Sequence, residues 1–431
     1  MKKLFLVLFS LAFLSHQTSA ATLFEAITEA YKNNPELNAE RENINVSEED
    51  LKISKGNYLP SVTISGSKSK EDTSKLTNRT GKDINVKDVD PMSQSLIIEQ
   101  TLLDFGRNAN VKKNEMGINL ASAKLLKKEQ EVLLKAIEAY SGLVLATEKS
   151  KINRSNLNLL QRQVETDRAR LERGQITLSD LAQSEASLAG AEANFIQSDN
   201  EIVSNKLNYE NVIGSISNVN SLEKKSNINF ILPNNLNSAI EISKKNNPEL
   251  IIAKLEYQLA EKDVVISRSD LKPSAKLSYE NSRSQDFSST YDERNKSVLK
   301  ATVTWPIYSG GKNRASLNKS KNLQNRKKLL LDSTVKTNDT NVVSAWSTLQ
   351  SSKSLLNSVK SQVKAAEIAN EGITAEYESG LGRSTLDVIQ SNSILLNARI
   401  LLANSERNYL LSQFKLLKSI GLLNSTHLKI K

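Results

Sequence analysis

Apolar positions recur every seven residues through two long stretches of the chain and alternate with polar ones in between. From Arg107 to Arg173 there is no proline, and Gly117 and Gly142 are the only glycines. Ile118, Leu125, Val132, Ala139 and Ala146 stand seven apart there, and after a step of 11 residues Leu157, Val164 and Leu171 resume the period. That step is a heptad plus four, a stutter that locally unwinds a coiled coil. At 1.5 Å per residue the stretch predicts a helix about 100 Å long. A tight turn at Gly174-Gln175 leads into a returning helix with Leu181, Leu188, Phe195, Ile202 and Tyr209, again seven apart. The second stretch, Lys312 to Ser379, carries Val335, Val342, Leu349, Leu356 and Val363 in the same register and turns at Gly380-Leu381-Gly382-Arg383. Its return helix places Val388, Leu395, Leu402, Tyr409 and Leu416 each 207 residues after its counterpart. Sustained heptads bury a seam against partner helices, so these stripes are structural.

The repetition extends beyond the hairpins. Asn-Asn-Pro-Glu-Leu occurs at Asn33–Leu37 and again at Asn246–Leu250, and Pro60 and Pro273 keep the same offset of 213 residues. The chain thus reads as two homologous halves, 21–214 and 234–421, a period too long for a solenoid. Thr22-Leu23-Phe24-Glu25 has the form of a capping box opening a short helix. Pro35 and Pro248 suit the first turn of the next helix, and Pro60 and Pro273 stop it. The period then changes to two. Val62, Ile64 and Gly66 alternate with Thr63, Ser65 and Ser67, and Leu299, Ala301, Val303 and Trp305 with Val298, Lys300, Thr302 and Thr304. Each half is expected to carry two strands joined by a polar loop, 60–71 with 93–104 and 273–284 with 296–307. Helical hairpins follow at 107–213 and 312–420. Ten-residue strands match the length of a tilted membrane crossing, with Trp305 as an interfacial aromatic; a soluble hairpin with one buried face fits any single strand as well. Residues 215–233 read as a Ser- and Asn-rich linker, and 422–431 as a short polar tail.

Composition narrows the compartment. Lys2 and Lys3, an apolar run from Leu4 to Leu14 and the small residues Thr18-Ser19-Ala20 form a signal peptide, with cleavage expected after Ala20. No later stretch holds 18 consecutive apolar residues, and the chain has no cysteine, so membrane insertion would rest on strands. A net charge of +10 in an exported chain does not point to nucleic acid. The basic run Lys312, Arg314, Lys319, Lys321, Arg326, Lys327 and Lys328 reads either as a solvated helix face or as contact with anionic lipid head groups. Arg107, Lys112 and Lys113, at the other strand-to-helix junction, are candidates for the same lipid contact.

The chain offers no catalytic constellation, metal set or cofactor motif, and is not expected to be an enzyme. Its histidines are His16, in the signal, and His427, in the tail. Gly380-Leu381-Gly382 is too short for a phosphate-binding loop and follows a helix.

Exported, duplicated, and built twice as helix, strand, loop, strand and long helical hairpin, the chain resembles the TolC family of outer-membrane efflux ducts. The resemblance rests on the paired Asn-Asn-Pro-Glu-Leu strings and on the strand ends Leu103-Asp104-Phe105-Gly106-Arg107 and Trp305-Pro306-Ile307-Tyr308-Ser309-Gly310-Gly311. The turns after Arg173 and Ser379 complete it. It implies a mainly α protein with membrane β-strands, a homotrimer sharing one 12-stranded β-barrel continued by a periplasmic α-helical barrel. Four strands alone cannot close a barrel, and open edges are not tolerated in hydrocarbon. The implied function is the outer-membrane channel of a tripartite efflux or type I secretion system. It would be a passive conduit opened by a periplasmic adaptor (membrane fusion protein) and an inner-membrane efflux or ABC transporter. A periplasmic coiled-coil scaffold or adaptor is the alternative, and the alternating strands speak against it. The resemblance also carries a gate onto Asp180, Tyr377, Arg383 and Asp387, as polar links between hairpin tips and an acidic constriction. Gln390 stands where some members have a second acid, which argues against a second acidic ring. Asp180 and Asp387 equally suit ordinary helix starts. Arg173, Gly174, Gln175, Gly380, Leu381 and Gly382 are the expected adaptor-contacting tips, the glycines doubling as C-caps.

Overall fold

A computed structural model describes residues 22–84, 89–224, 228, 230–288 and 291–430; the expected signal peptide lies outside them. The chain divides into two compact units, one of 1–41, 123–251 and 334–431 and the other of 42–122 and 252–333. Its elements follow the duplication. The first half contains α1 (Leu23–Asn33), α2 (Pro35–Gly56), β1 (Ser61–Lys68), the short β2 (Leu76–Thr77) and β3 (Asp83–Ile84), and β4 (Met92–Leu103). Its hairpin is α3 (Arg107–Glu172) with α4 (Leu178–Val212). The second half contains α5 (Leu236–Asn246), α6 (Pro248–Ser269), β5 (Ser274–Gln285), β6 (Glu293–Thr304), α7 (Lys312–Glu378) and α8 (Thr385–Ser419), and a last turn, α9 (Ser425–Leu428), ends it.

In the strand-bearing unit, β1, β4, β5 and β6 form one antiparallel sheet in that order. The register sorts the side chains. Val62 pairs with Ile98, Ile98 with Tyr279 and Tyr279 with Leu299, while Ala275 faces Val303 and Leu277 faces Ala301. Adjacent strand partners point to the same side, so these residues make one apolar face. Ser61, Glu99, Ser278 and Lys300 line up on the other. No described residue covers the apolar face: Ile64 is 80% exposed, and Leu299 and Val303 are each 71% exposed. Among the described residues both outer strands, β1 and β6, end the sheet with an unpaired edge. Exposed Trp305, Ile307 and Tyr308 follow β6, and exposed Phe105 follows β4. Two of the junction cations are held by protein groups: Lys113 pairs with Asp263 at 2.7 Å, and Arg107 donates to the Thr101 carbonyl at 2.8 Å and lies over the Tyr58 ring.

In the helical unit, both Asn-Asn-Pro-Glu-Leu strings make the same joint. Asn34 and Asn247 cap the preceding helix, and their side-chain oxygens accept from the Leu37 and Glu249 backbone N–H groups. Pro35 and Pro248 then open the next helix, where a missing N–H costs nothing. Glu36 meets Lys128 at 3.3 Å and Glu249 meets Lys127 at 2.9 Å, both lysines on α3. Leu37 is fully buried and Leu250 nearly so. The core joins α1, the middle of α3, the ends of α4 and α8, and Val342 and Leu349 of α7.

One expectation needs correction here. The tail is not merely polar: Leu428 and Ile430 are buried, and the Ser425 N–H donates to Glu129. Among the described residues the linker has little regular structure beyond the 3-10 turn Val219–Ser221, and it packs against the core. Ile216 is buried, and the Phe230 ring packs at a tilt of 52° against Phe414 with centroids 5.0 Å apart. Lone hydrophobic residues in a polar stretch carry no periodicity, which is why pattern alone did not reveal them.

Candidate gate at the hairpin tips

The two tips of the helical unit begin with the same stop signal. α3 ends in a Schellman turn, with Gln175 N–H bonded to the Arg170 carbonyl at 2.9 Å and Gly174 N–H to that of Leu171 at 2.9 Å. α7 repeats it, with Leu381 on Glu376 at 3.0 Å and Gly380 on Tyr377 at 3.3 Å. The residue after such a helix end takes left-handed backbone angles, and Gly174 and Gly380 have φ of 72° and 77°. Arg173, Gly174, Gln175, Gly380, Leu381 and Gly382 all stand exposed, and a Cβ added at any of the three glycines would meet open space.

The return helices also begin alike. Thr177 and Asp180 form a reciprocal capping box, the Asp180 N–H donating to Thr177 Oγ1 at 3.2 Å and the Thr177 N–H to Asp180 Oδ2 at 2.9 Å. Ser384 and Asp387 do the same at 3.2 and 2.9 Å. Backbone N–H bonds, then the capping hydroxyls, hold both carboxyls below their ordinary range, and Arg383 adds to the effect at Asp387. Both acids are therefore anionic at neutral pH and already engaged. Arg383 pairs with Glu376 of its own hairpin at 2.6 Å, in the open.

Tyr377 is different. It is buried, 5% exposed, and its hydroxyl donates to Asp167 Oδ1 at 2.7 Å, with Thr385 Oγ1 3.0 Å away. Burial pushes the phenol pKa up, and the bond to Asp167 works in the same direction. Asp167 itself has no solvent exposure. Its Oδ2 accepts from Ser184 Oγ at 2.5 Å and its Oδ1 also accepts from Gln163 Nε2 at 3.0 Å. Arg170, one turn on, lies over the Tyr377 ring at 4.2 Å and reaches the Tyr377 carbonyl at 3.4 Å.

Of the four residues assigned to a gate by resemblance, the single chain brings none into contact with another by a hydrogen bond or ion pair among the described residues. Tyr377 joins the first hairpin through Asp167, and Asp180, Asp387 and Arg383 are each satisfied within their own tip. Sequence reasoning missed Asp167, Arg170, Ser184 and Thr385. Only burial exposes the seams: Ala139, Ala146, Asn153, Leu160 and Asp167 are all buried and seven apart, as are Val342, Leu349, Leu356, Val363, Asn370 and Tyr377. Each buried seam turns polar as it nears its tip. Among the described residues no group of three metal-ligating side chains gathers anywhere, and no helix is long and apolar enough to cross a membrane.

A sheet apolar on one exposed face and, among the described residues, unpaired at both edges, in a chain that also holds two long helical hairpins, has the makings of a channel protomer. The profile of the outer membrane efflux protein family matches residues 26–215 and 239–422, one segment for each half, and the chain belongs to that family. It is 26% identical to the outer membrane efflux protein BepC of Brucella suis biovar 1 (strain 1330), over 95% of this chain and 87% of that one. With the outer membrane protein TolC of Escherichia coli (strain K12) it shares 22% identity over 99% of this chain and 88% of the other. The fold matches that of the outer membrane protein VceC from Vibrio cholerae with a TM-score of 0.78 at 17% identity, over 93% of this chain and 96% of that one.

Proposed function

We propose that three copies of this chain close one 12-stranded barrel and that the resulting duct is the exit channel of a tripartite efflux or type I secretion system. A periplasmic adaptor and an inner-membrane efflux or ABC transporter would complete that system. The observation that carries this reading is the sheet: four strands with an exposed apolar face and two unpaired edges. In hydrocarbon each unpaired backbone group costs several kcal/mol, so the edges must meet other strands, and three copies supply 12. A periplasmic scaffold has no use for such a face. The duct is passive in this reading, its cargo driven by the transporter.

The gate at its periplasmic end uses the hairpin tips. Asp180, Arg383 and Asp387 lie at or beside the turns, where neighbouring chains would meet, and three copies of Asp387 around an axis would focus negative potential there. Arg173, Gly174, Gln175, Gly380, Leu381 and Gly382 form the exposed turn surface offered to the adaptor. The experiment is fractionation followed by planar-bilayer recording. The mature protein is expected in the outer-membrane fraction and to give discrete conductance steps; a soluble protein without pore activity would end the reading.

A further inference from the structure

We propose that a cavity of about 390 Å³ in the helical unit, bounded by α3, the start of α6, α7 and the last turns of α8, is a binding site for an anion of the phosphate class. It lies at the end of α8 away from the hairpin tips. Gln130 of α3 lines this cavity and is 2% exposed. Its Nε2 finds no acceptor among the described residues. A buried amide donor is costly until something accepts from it, and here the acceptor has to come from the cavity. One bridging water needs only about 10–15 Å³ of such space. At about 390 Å³ the cavity falls instead in the range of small-molecule sites, about 300–1,000 Å³.

The charge of the lining sets the sign of the ligand. Lys127, Lys415 and Lys418 stand there against a single carboxylate, Glu249. Lys127 is committed to Glu249 at 2.9 Å, Lys415 reaches Glu138 only at 3.7 Å, and Lys418 pairs with no carboxylate among the described residues. Two cations thus remain largely available beside the Gln130 amide, with Ser344 of α7 adding a hydroxyl to the wall. Ammonium groups, an amide N–H and a hydroxyl together suit a phosphate, whose oxygens accept from several donors at once. A last-turn lysine such as Lys418 also suits the α8 dipole, yet that leaves Gln130 without an acceptor. The duplication supplies a contrast: 207 residues before Lys415 and Lys418 the first half has the uncharged Asn208 and Asn211. The cations are a property of the second half alone.

The test is isothermal titration calorimetry of the full-length mature protein in detergent and phosphate-free buffer, with inorganic phosphate and glycerol 3-phosphate as probes. One saturable site per chain is expected. Lys415→Asn/Lys418→Asn, which installs the residue type of the first half, and Gln130→Leu, which removes the buried donor, should each weaken binding about tenfold or more. Lys312→Asn/Lys319→Asn removes as much charge from the other unit and should change the affinity less than twofold. Tighter binding of glycerol 3-phosphate marks the head group of a larger molecule as the ligand, and tighter binding of inorganic phosphate marks the free ion; either order supports the site. No saturable heat from either probe at millimolar concentration overturns the proposal, as does equal weakening by the Lys312/Lys319 variant. Should Gln130→Leu not assemble, the Lys415/Lys418 variant decides alone, and unchanged affinity there overturns the proposal.

Discussion

The two hairpin tips share their stop, their turn glycine and their capping box, yet differ at one heptad position. Leu171 ends the stripe of Leu157 and Val164, and Tyr377 ends that of Val363 and Asn370, each three residues before the turn glycine. Leu171 is half-buried and asks for nothing polar. Tyr377 is buried and brings a hydroxyl that must be paired, which the first hairpin answers with Asp167. The second turn is also one residue longer, and Arg383 occupies the added length. A duplicated unit thus keeps the parts that any helical hairpin needs and diverges where the two copies touch.

The duplication gives internal controls for that contrast. The largest effect is expected at Gly421, whose φ is 80° and whose added Cβ would run into the Asn246 carbonyl. Gly214, its counterpart, has φ of 137° and no neighbour closer than Glu29 at 4.0 Å. Gly421→Ala should therefore destabilise the protein by about 2–4 kcal/mol, combining backbone strain with overpacking. Gly214→Ala should lose only about 1 kcal/mol, from strain alone. Thermal melting of the two variants side by side checks this, and equal losses would mean that the two joints are packed alike.

A smaller effect, the same in both halves, is expected from the caps. Thr177→Ala and Ser384→Ala should each cost about 1 kcal/mol. The pH dependence follows from the same boxes. Because folding lowers the Asp180 and Asp387 pKa values, their stabilising contribution is present above the unfolded value of about 3.9 and is lost as pH falls through the folded one. Each capping variant should flatten the acid limb of a melting-temperature profile between pH 5 and pH 2 by a similar amount. A clearly larger change at Ser384 than at Thr177 would place an additional, tip-specific role on Asp387.

Much of the architecture was legible because it repeats and because apolar periods are easy to see. The heptads of α3, α4, α7 and α8, the prolines opening α2 and α6 and the alternating strands all rest on local rules that a pattern exposes. The observed strands lie close to expectation, although β1 stops at Lys68 and the polar loop adds the short β2 and β3. The tips were half legible. Thr177-Leu178-Ser179-Asp180 and Ser384-Thr385-Leu386-Asp387 spell their capping boxes, and Gly174 and Gly380 their turns. Asp167 was not legible, because a single Asp on a long polar-rich helix looks solvated until its heptad neighbours are seen to be buried. Its partner Tyr377 lies 210 residues away, and no local pattern spans that distance.

The central claim is that this chain completes its barrel only with copies of itself, and the mass of the detergent-extracted protein tests that most directly. Native mass measurement should give a species of three chains that persists when the protein is diluted. A stable single chain in detergent that still conducts ions would contradict the account, because four strands with two open edges cannot enclose a pore alone.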